Sequence, residues 1–160
     1  MSRPALLLSL MACLMSAGVT CETDLIDDAG FQLWCGERLC VWDLEEGEIR
    51  KVPTWHTHDY GIELVGPSVL LSQPTQSSAS CVRIEVTSEI EPSATVSVEV
   101  DADGDGAVDW IVPVDPSDGF VSRVQDVEHS VSFDGVVYLR KSGQGGAVVA
   151  RLRVSDECGR

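Results

Sequence analysis

A chain of 160 residues is long enough to close one hydrophobic core and short for two of ordinary size. Its 26 acidic residues against 11 basic ones give a formal charge of -15 spread along the chain. With no basic patch to release counterions, nucleic acid and anionic lipid surfaces are disfavoured as partners, while solubility and cation binding are favoured.

The first 20 residues stand apart. Arg3 is followed by an apolar run from Ala5 to Met15 and then by Ser16, Ala17 and Gly18. The run is too short to span a bilayer, and its order of charge, apolar core and small residues predicts a secretory signal over 1–20 and one domain over 21–160. Removal of that segment leaves 10 basic against 26 acidic residues, a net charge of -16. Cys13 leaves with it, so the exported chain keeps Cys21, Cys35, Cys40, Cys81 and Cys158. Oxidising conditions outside the cytoplasm favour disulfides among four of these and leave one over. Cys21, where the signal ends, is the odd one. Its position resembles the first mature cysteine of a bacterial lipoprotein, which implies acylation and a membrane anchor. Cleavage after Gly18 is the alternative, giving a soluble protein with a free thiol.

Glu22 to Trp34 reads as a strand, a turn and a second strand. Within it, DLIDDAGFQLW carries Asp24, Leu25, Ile26, Asp28, Gly30 and Phe31 in a pattern that resembles the opening of galactose-binding-like jelly rolls, including carbohydrate-binding modules of secreted glycoside hydrolases. The stretch GIELVGPSVLLSQ at 61–73 and the closing GGAVVARLRVSDEC at 145–158 are similar to later strands of the same fold. The resemblance implies a non-catalytic sandwich that binds a carbohydrate or another envelope polymer.

Cys35 and Cys40 flank a short loop with Gly36, close enough for a small bridge, which leaves Cys81 for Cys158; four cysteines nevertheless allow three pairings. Of the two bridges, the long one is the more stabilising, at about 4 to 5 kcal/mol on chain-entropy arithmetic. A zinc site is the rival use, and the absence of any Cys-x-x-C pair speaks against it.

Arg38–Leu44, Ile49–Thr54 and Tyr60–Val65 are rich in β-branched and aromatic residues and are divided by Glu45 to Glu48 and by Trp55 to Asp59. Val69–Gln73 follows Gly66 and Pro67, and Pro74 to Ser80 reads as a polar connection. From Cys81 to Ser88, Val82, Ile84 and Val86 alternate with polar residues. A hairpin is predicted over Ala94–Val114, where Val96, Val98 and Val100 precede an acidic, glycine-bearing loop and Val108, Trp110, Val112 and Val114 follow it. Phe120–Val124, Val136–Lys141 and Val148–Val154 complete the set. No window beyond the signal has helical periodicity, and strands at roughly 8- to 12-residue spacing predict an all-β antiparallel jelly-roll sandwich.

Three clusters are candidate sites. Asp101, Asp103, Asp105 and Asp109, with Gly106, match positions of a calcium loop, although Val112 stands where a bidentate glutamate belongs. Calcium is therefore possible and not required; the alternative is a solvated acidic hairpin tip. His56 and His58 share one face of an extended segment, with Asp59 beside them, a donor set for zinc or copper or merely an exposed polar turn. Trp42, Trp55 and Tyr60 are the aromatic platforms expected to meet sugar rings, whereas Trp34 and Trp110 are expected in the core.

No Gly-x-Ser-x-Gly elbow, phosphate loop or H-E-x-x-H helix occurs, and a small all-β domain is a poor host for a catalytic cleft, so the chain is not expected to be an enzyme. The leading expectation is an exported, lipid-anchored, non-catalytic binding domain. A structural or partner-binding accessory lipoprotein is the second, and a metal-dependent enzyme on His56, His58 and Asp59 the third.

Overall fold

Val96, Val98 and Val100 have no exposed surface, and their neighbours across the strand pair, Val114 and Val112, are buried as well. This is the period-two pattern of a strand with one face in the interior. The computed structural model describes residues 24–54, 59–79, 81–128, 133–156 and 158, and among them it contains no helix. The segment 1–20 expected to be a signal, Cys21, Trp55, His56 and His58 lie outside the described residues.

The strands are β1 (Trp34–Cys35), β2 (Arg38–Leu39), β3 (Asp43–Pro53), β4 (Tyr60–Ser77), β5 (Cys81–Ile90), β6 (Ala94–Asp101), β7 (Trp110–Val114), β8 (Ser117–Glu128), β9 (Phe133–Gly143) and β10 (Ala147–Ser155). All pairs are antiparallel, in the order β7-β6-β9-β4-β10-β5-β8, with β3 on β4 and β1 on β2 alone.

The long strand β4 belongs to both layers. Its first part, from Tyr60 to Val65, pairs with the second half of β3 and with β10; its second part, from Ser68, pairs with β9 and the first half of β3. The core-facing residues change parity at the corner, from Ile62 and Leu64 to Val69 and Leu71. Gly66 makes that corner at φ 85°, a left-handed conformation that side chains resist. Lys141, only 1% exposed on the inner face of β9, donates from its ammonium to the Gly66 carbonyl and, at 3.0 Å, to that of Gly143. A buried ammonium needs such acceptors, and here they pin the corner. The result is a jelly-roll β-sandwich, whose single core cluster draws on every strand from β2 to β10.

Several expected boundaries shift. Glu45 to Glu48 does not interrupt β3: the strand absorbs the glutamates through two register shifts, and Gly47 at φ 87° supplies the second. Pro74 to Ser77 continue β4 instead of forming a connection. β3 pairs with β4 only as far as Ser72, so one side of β4 is open beyond it and Pro74 forfeits no ladder bond there. Val108 remains in the loop, exposed, and β7 starts at Trp110.

Nor does the segment from Asp24 to Gln32 form two strands. It lies along β10 through Leu25 N to Val154 O at 2.7 Å and Leu152 N to Ala29 O at 2.8 Å. It then turns because the Asp28 carboxylate accepts the amides of Gln32 at 2.6 Å and Leu33 at 2.8 Å.

The cysteines pair as Cys35 with Cys40 and Cys81 with Cys158, with Cα atoms 5.1 and 5.9 Å apart. The second bridge ties the start of β5 to the chain beyond β10.

Candidate binding groove

β3 is an edge strand in both layers, with β4 as its only ladder partner among the described residues. The disulfide-closed β1–β2 hairpin stands beside it, and between the two runs an open groove of about 1140 Å³. Its walls carry Trp34, Glu37, Arg38, Asp43, Glu45 and Lys51. Among the described residues the side chains of Glu37, Arg38 and Asp43 make no hydrogen bond or ion pair, and all three residues are exposed.

At one end of the groove the Lys51 ammonium lies 4.0 Å from the centre of the Tyr60 ring and 5.7 Å from that of Trp34, within cation–π range of both. Tyr60 is 41% exposed, as expected of a platform residue. Its backbone is clamped by Gln32, whose amide donates to Tyr60 O at 2.6 Å and whose carbonyl accepts from Tyr60 N at 3.4 Å. Trp34 is half-buried and donates from Nε1 to Phe31 O at 2.8 Å, so it belongs partly to the groove and not wholly to the core.

Trp42 is corrected. It is 3% exposed and packs at 5.6 Å against the fully buried Phe31, in the core cluster that Leu39 of β2 also joins. It forms groove floor, not platform. Its Nε1 has no partner among the described residues, and nor does the buried Gln73 Oε1. Trp110 stands opposite Val100 on the core face yet is only half-buried at the end of the sandwich.

The groove adjoins an unusual outer sheet face. Glu45 accepts a hydrogen bond from the Ser72 hydroxyl at 2.7 Å. Next to Ser72 across the ladder is Tyr138, and Arg140 on the same strand donates from Nε to Glu99 at 2.7 Å. That bond raises the Arg140 pKa above its ordinary value, burial opposing it and the negative charges of Glu99 and Glu46 adding to it.

In the acidic hairpin tip, Asp101, Asp103 and Asp109 bring carboxylate oxygens within 4.8 Å of one another. Asp105 does not join them; its carboxylate accepts the Ala107 amide at 2.8 Å. Asp101, 1% exposed, accepts Gly104 N at 2.7 Å and Gly106 N at 2.8 Å, and Asp109 accepts Ala102 N at 2.8 Å. Val112 is core. Asp59, the described member of the histidine cluster, is exposed and accepts from Thr54 N and Oγ1 at 3.1 Å through its carbonyl.

No family model matches the sequence, and no curated protein does. Solved structures do match. TmCBM61, determined in complex with beta-1,4-galactotriose, aligns with a TM-score of 0.60 at 13% identity over 84% of this chain and 99% of that one. A carbohydrate-binding module of lichenase 5A from Cellvibrio mixtus, in complex with cellotriose, aligns with a TM-score of 0.51 at 15% identity over 72% and 91%. The fold is the jelly roll of carbohydrate-binding modules. The same jelly roll aligns with the enzymatically active domain of tailspike protein 4 from bacteriophage CBA120, with a TM-score of 0.62 at 11% identity over 82% of this chain but 21% of that one. At such identities the likeness extends to the jelly roll alone, and the groove stands on its own geometry.

Lys51, Gln32 and Trp34 were missed as partners of Tyr60. The register that opposes Tyr60 to Pro53 brings the end of β3 beside it, but nothing local in the sequence marks Gln32, 28 residues away.

Proposed function

We propose that this chain is a non-catalytic carbohydrate-binding domain that holds a glycan in the groove along β3, with Tyr60 and Trp34 offering ring faces and Lys51, Glu37, Arg38 and Asp43 offering hydrogen bonds to hydroxyls. One observation carries the reading: an amine set between two aromatic rings at the mouth of an open groove on whose walls the side chains of Glu37, Arg38 and Asp43 have no partner among the described residues. Sugar recognition asks for that combination of flat apolar area and orienting polar groups. The glycan-bound modules that share the fold support it.

An array of immobilised oligosaccharides is the test. Binding to at least one series is expected, and Tyr60→Ala lowers the affinity about tenfold, a loss of about 1.4 kcal/mol, with little change in melting temperature. Binding untouched by Tyr60→Ala removes the platform; binding to no glycan removes the function.

The same reading takes the protein as exported and held at a membrane by an acylated Cys21, supported by the signal-like order of residues 1–20, the odd cysteine and two disulfides suited to an oxidising compartment. Mass spectrometry of the mature N-terminus is expected to find a lipid on Cys21; a chain beginning at Val19 with a free thiol would overturn it. Calcium enters as an optional, weakly held ion on Asp101, Asp103 and Asp109, whose three carboxylates fall short of the about six to eight oxygens calcium prefers.

A further inference from the structure

We infer that the groove does not end at β3 but continues over the outer face of the adjoining layer to Tyr138 and Arg140, so that the ligand is an internal stretch of a linear, uncharged glycan and not a single sugar or a chain end. The inference rests on the carbohydrate reading above and specifies its ligand.

Strand register supplies the path. Asp43, Ser72, Tyr138, Glu99 and Ile111 face one another in turn across β3, β4, β9, β6 and β7, and Glu46, Leu70, Arg140 and Ser97 form the neighbouring row. Residues paired in this way share a face of the sheet. It is the outer face, since Leu71, Leu139 and Val98 between these positions point into the core. Glu45 joins the two regions physically, because it lines the groove and also accepts the Ser72 hydroxyl.

Burial along this face is unusual for an outer surface. Ser72 is 5% and Glu99 7% exposed, and Tyr138 and Arg140 are half-buried, so the polar groups sit in a recess. Glu99 accepts from Arg140 Nε at 2.7 Å, and Arg140 and Tyr138, two residues apart on β9, share this face. The Tyr138 hydroxyl has no hydrogen-bond partner among the described residues. An aromatic ring and a cation on one sheet face repeat, at a second place, the residue types found at Tyr60 and Lys51.

The dimensions favour a chain. Asp43 to Lys51 spans roughly 26 Å at the rise of an extended strand, and Tyr138 lies two strands, about 10 Å, beyond Asp43. One sugar ring covers a small part of that path. The charges favour a neutral ligand. Both signs line the path, Glu37, Asp43 and Glu45 against Arg38, Lys51 and Arg140, while the net charge of -15 repels a polyanion.

Calorimetric titration of the mature chain with neutral cello-, xylo- and β-1,4-galacto-oligosaccharides of two, four and six units tests this. In the series that binds, affinity is expected to rise about tenfold or more from two units to six. Tyr138→Ala removes that rise and leaves two-unit binding unchanged, whereas Tyr60→Ala weakens both. If Tyr138→Ala does not fold, Arg140→Lys reads the same face, because it keeps the charge beside Glu99 and loses the planar fork. Affinity independent of length, six-unit binding indifferent to these variants, or tighter binding of an oligouronate overturns the inference and leaves the carbohydrate reading standing. Failure of every series, neutral or acidic, removes both.

Discussion

Two acidic regions of this molecule use their carboxylates in opposite ways. In the β6–β7 tip, Asp101, Asp105 and Asp109 spend their oxygens on amides of the same loop, closing it from within. Beside and along β3, the Glu37 and Asp43 side chains have no partner among the described residues, while Glu45 is engaged by Ser72 of the neighbouring strand and Glu48 by Arg50 of its own. Carboxylates that satisfy their own backbone do structural work, and carboxylates left to water on a groove wall are available to a ligand. The lesson is that acid spacing in a sequence measures neither use; the hydrogen-bond partners do.

The comparison breaks most severely at the groove floor. Trp42→Ala is expected to destabilise the fold by about 3 to 5 kcal/mol, the usual cost of emptying a buried aromatic site, and denaturant unfolding would read it. A loss below about 1 kcal/mol would mean that the floor is not core after all.

A smaller effect is expected at the tip. Asp101→Ala strands two loop amides at a buried position and costs about 2 kcal/mol, or about 6 to 10 °C in melting temperature for a domain of this size, with glycan binding retained. The smallest is the calcium response: an ion held at about millimolar strength adds about 1 kcal/mol or less at millimolar concentration, and Asp101→Ala abolishes the shift. A melting temperature unmoved by calcium or chelator leaves the tip a plain turn, closed by its backbone alone.

Much of the architecture was legible because period-two alternation is a local signal. Val96, Val98 and Val100, then Val82, Ile84 and Val86, announce buried faces without knowledge of their partners. The small Cys35–Cys40 loop was legible because its cysteines are close in sequence, and it made Cys81 with Cys158 the expected second bridge among three open pairings. What escaped depends on neighbours distant in sequence. Four glutamic and glycine residues from Glu45 to Glu48 look like a turn until β4 is known to run beside them and to absorb two register shifts. Trp42 looks no different from a surface tryptophan until Phe31, eleven residues earlier, is seen to pack against it. Tyr60 was found by type alone, and the site around it was not, because Gln32, Trp34 and Lys51 reach it from three separate segments.

The way the chain begins and ends its sandwich bears on how the domain would withstand a pull on its N-terminal side. Asp24 pairs with Ser155, Leu25 bonds to Val154, and the Cys81–Cys158 bridge rivets the far side of that last strand to β5. Tension arriving through an N-terminal anchor would therefore load Asp24 and Leu25 in shear along β10, with a covalent stop behind them, instead of peeling the sheet open one rung at a time.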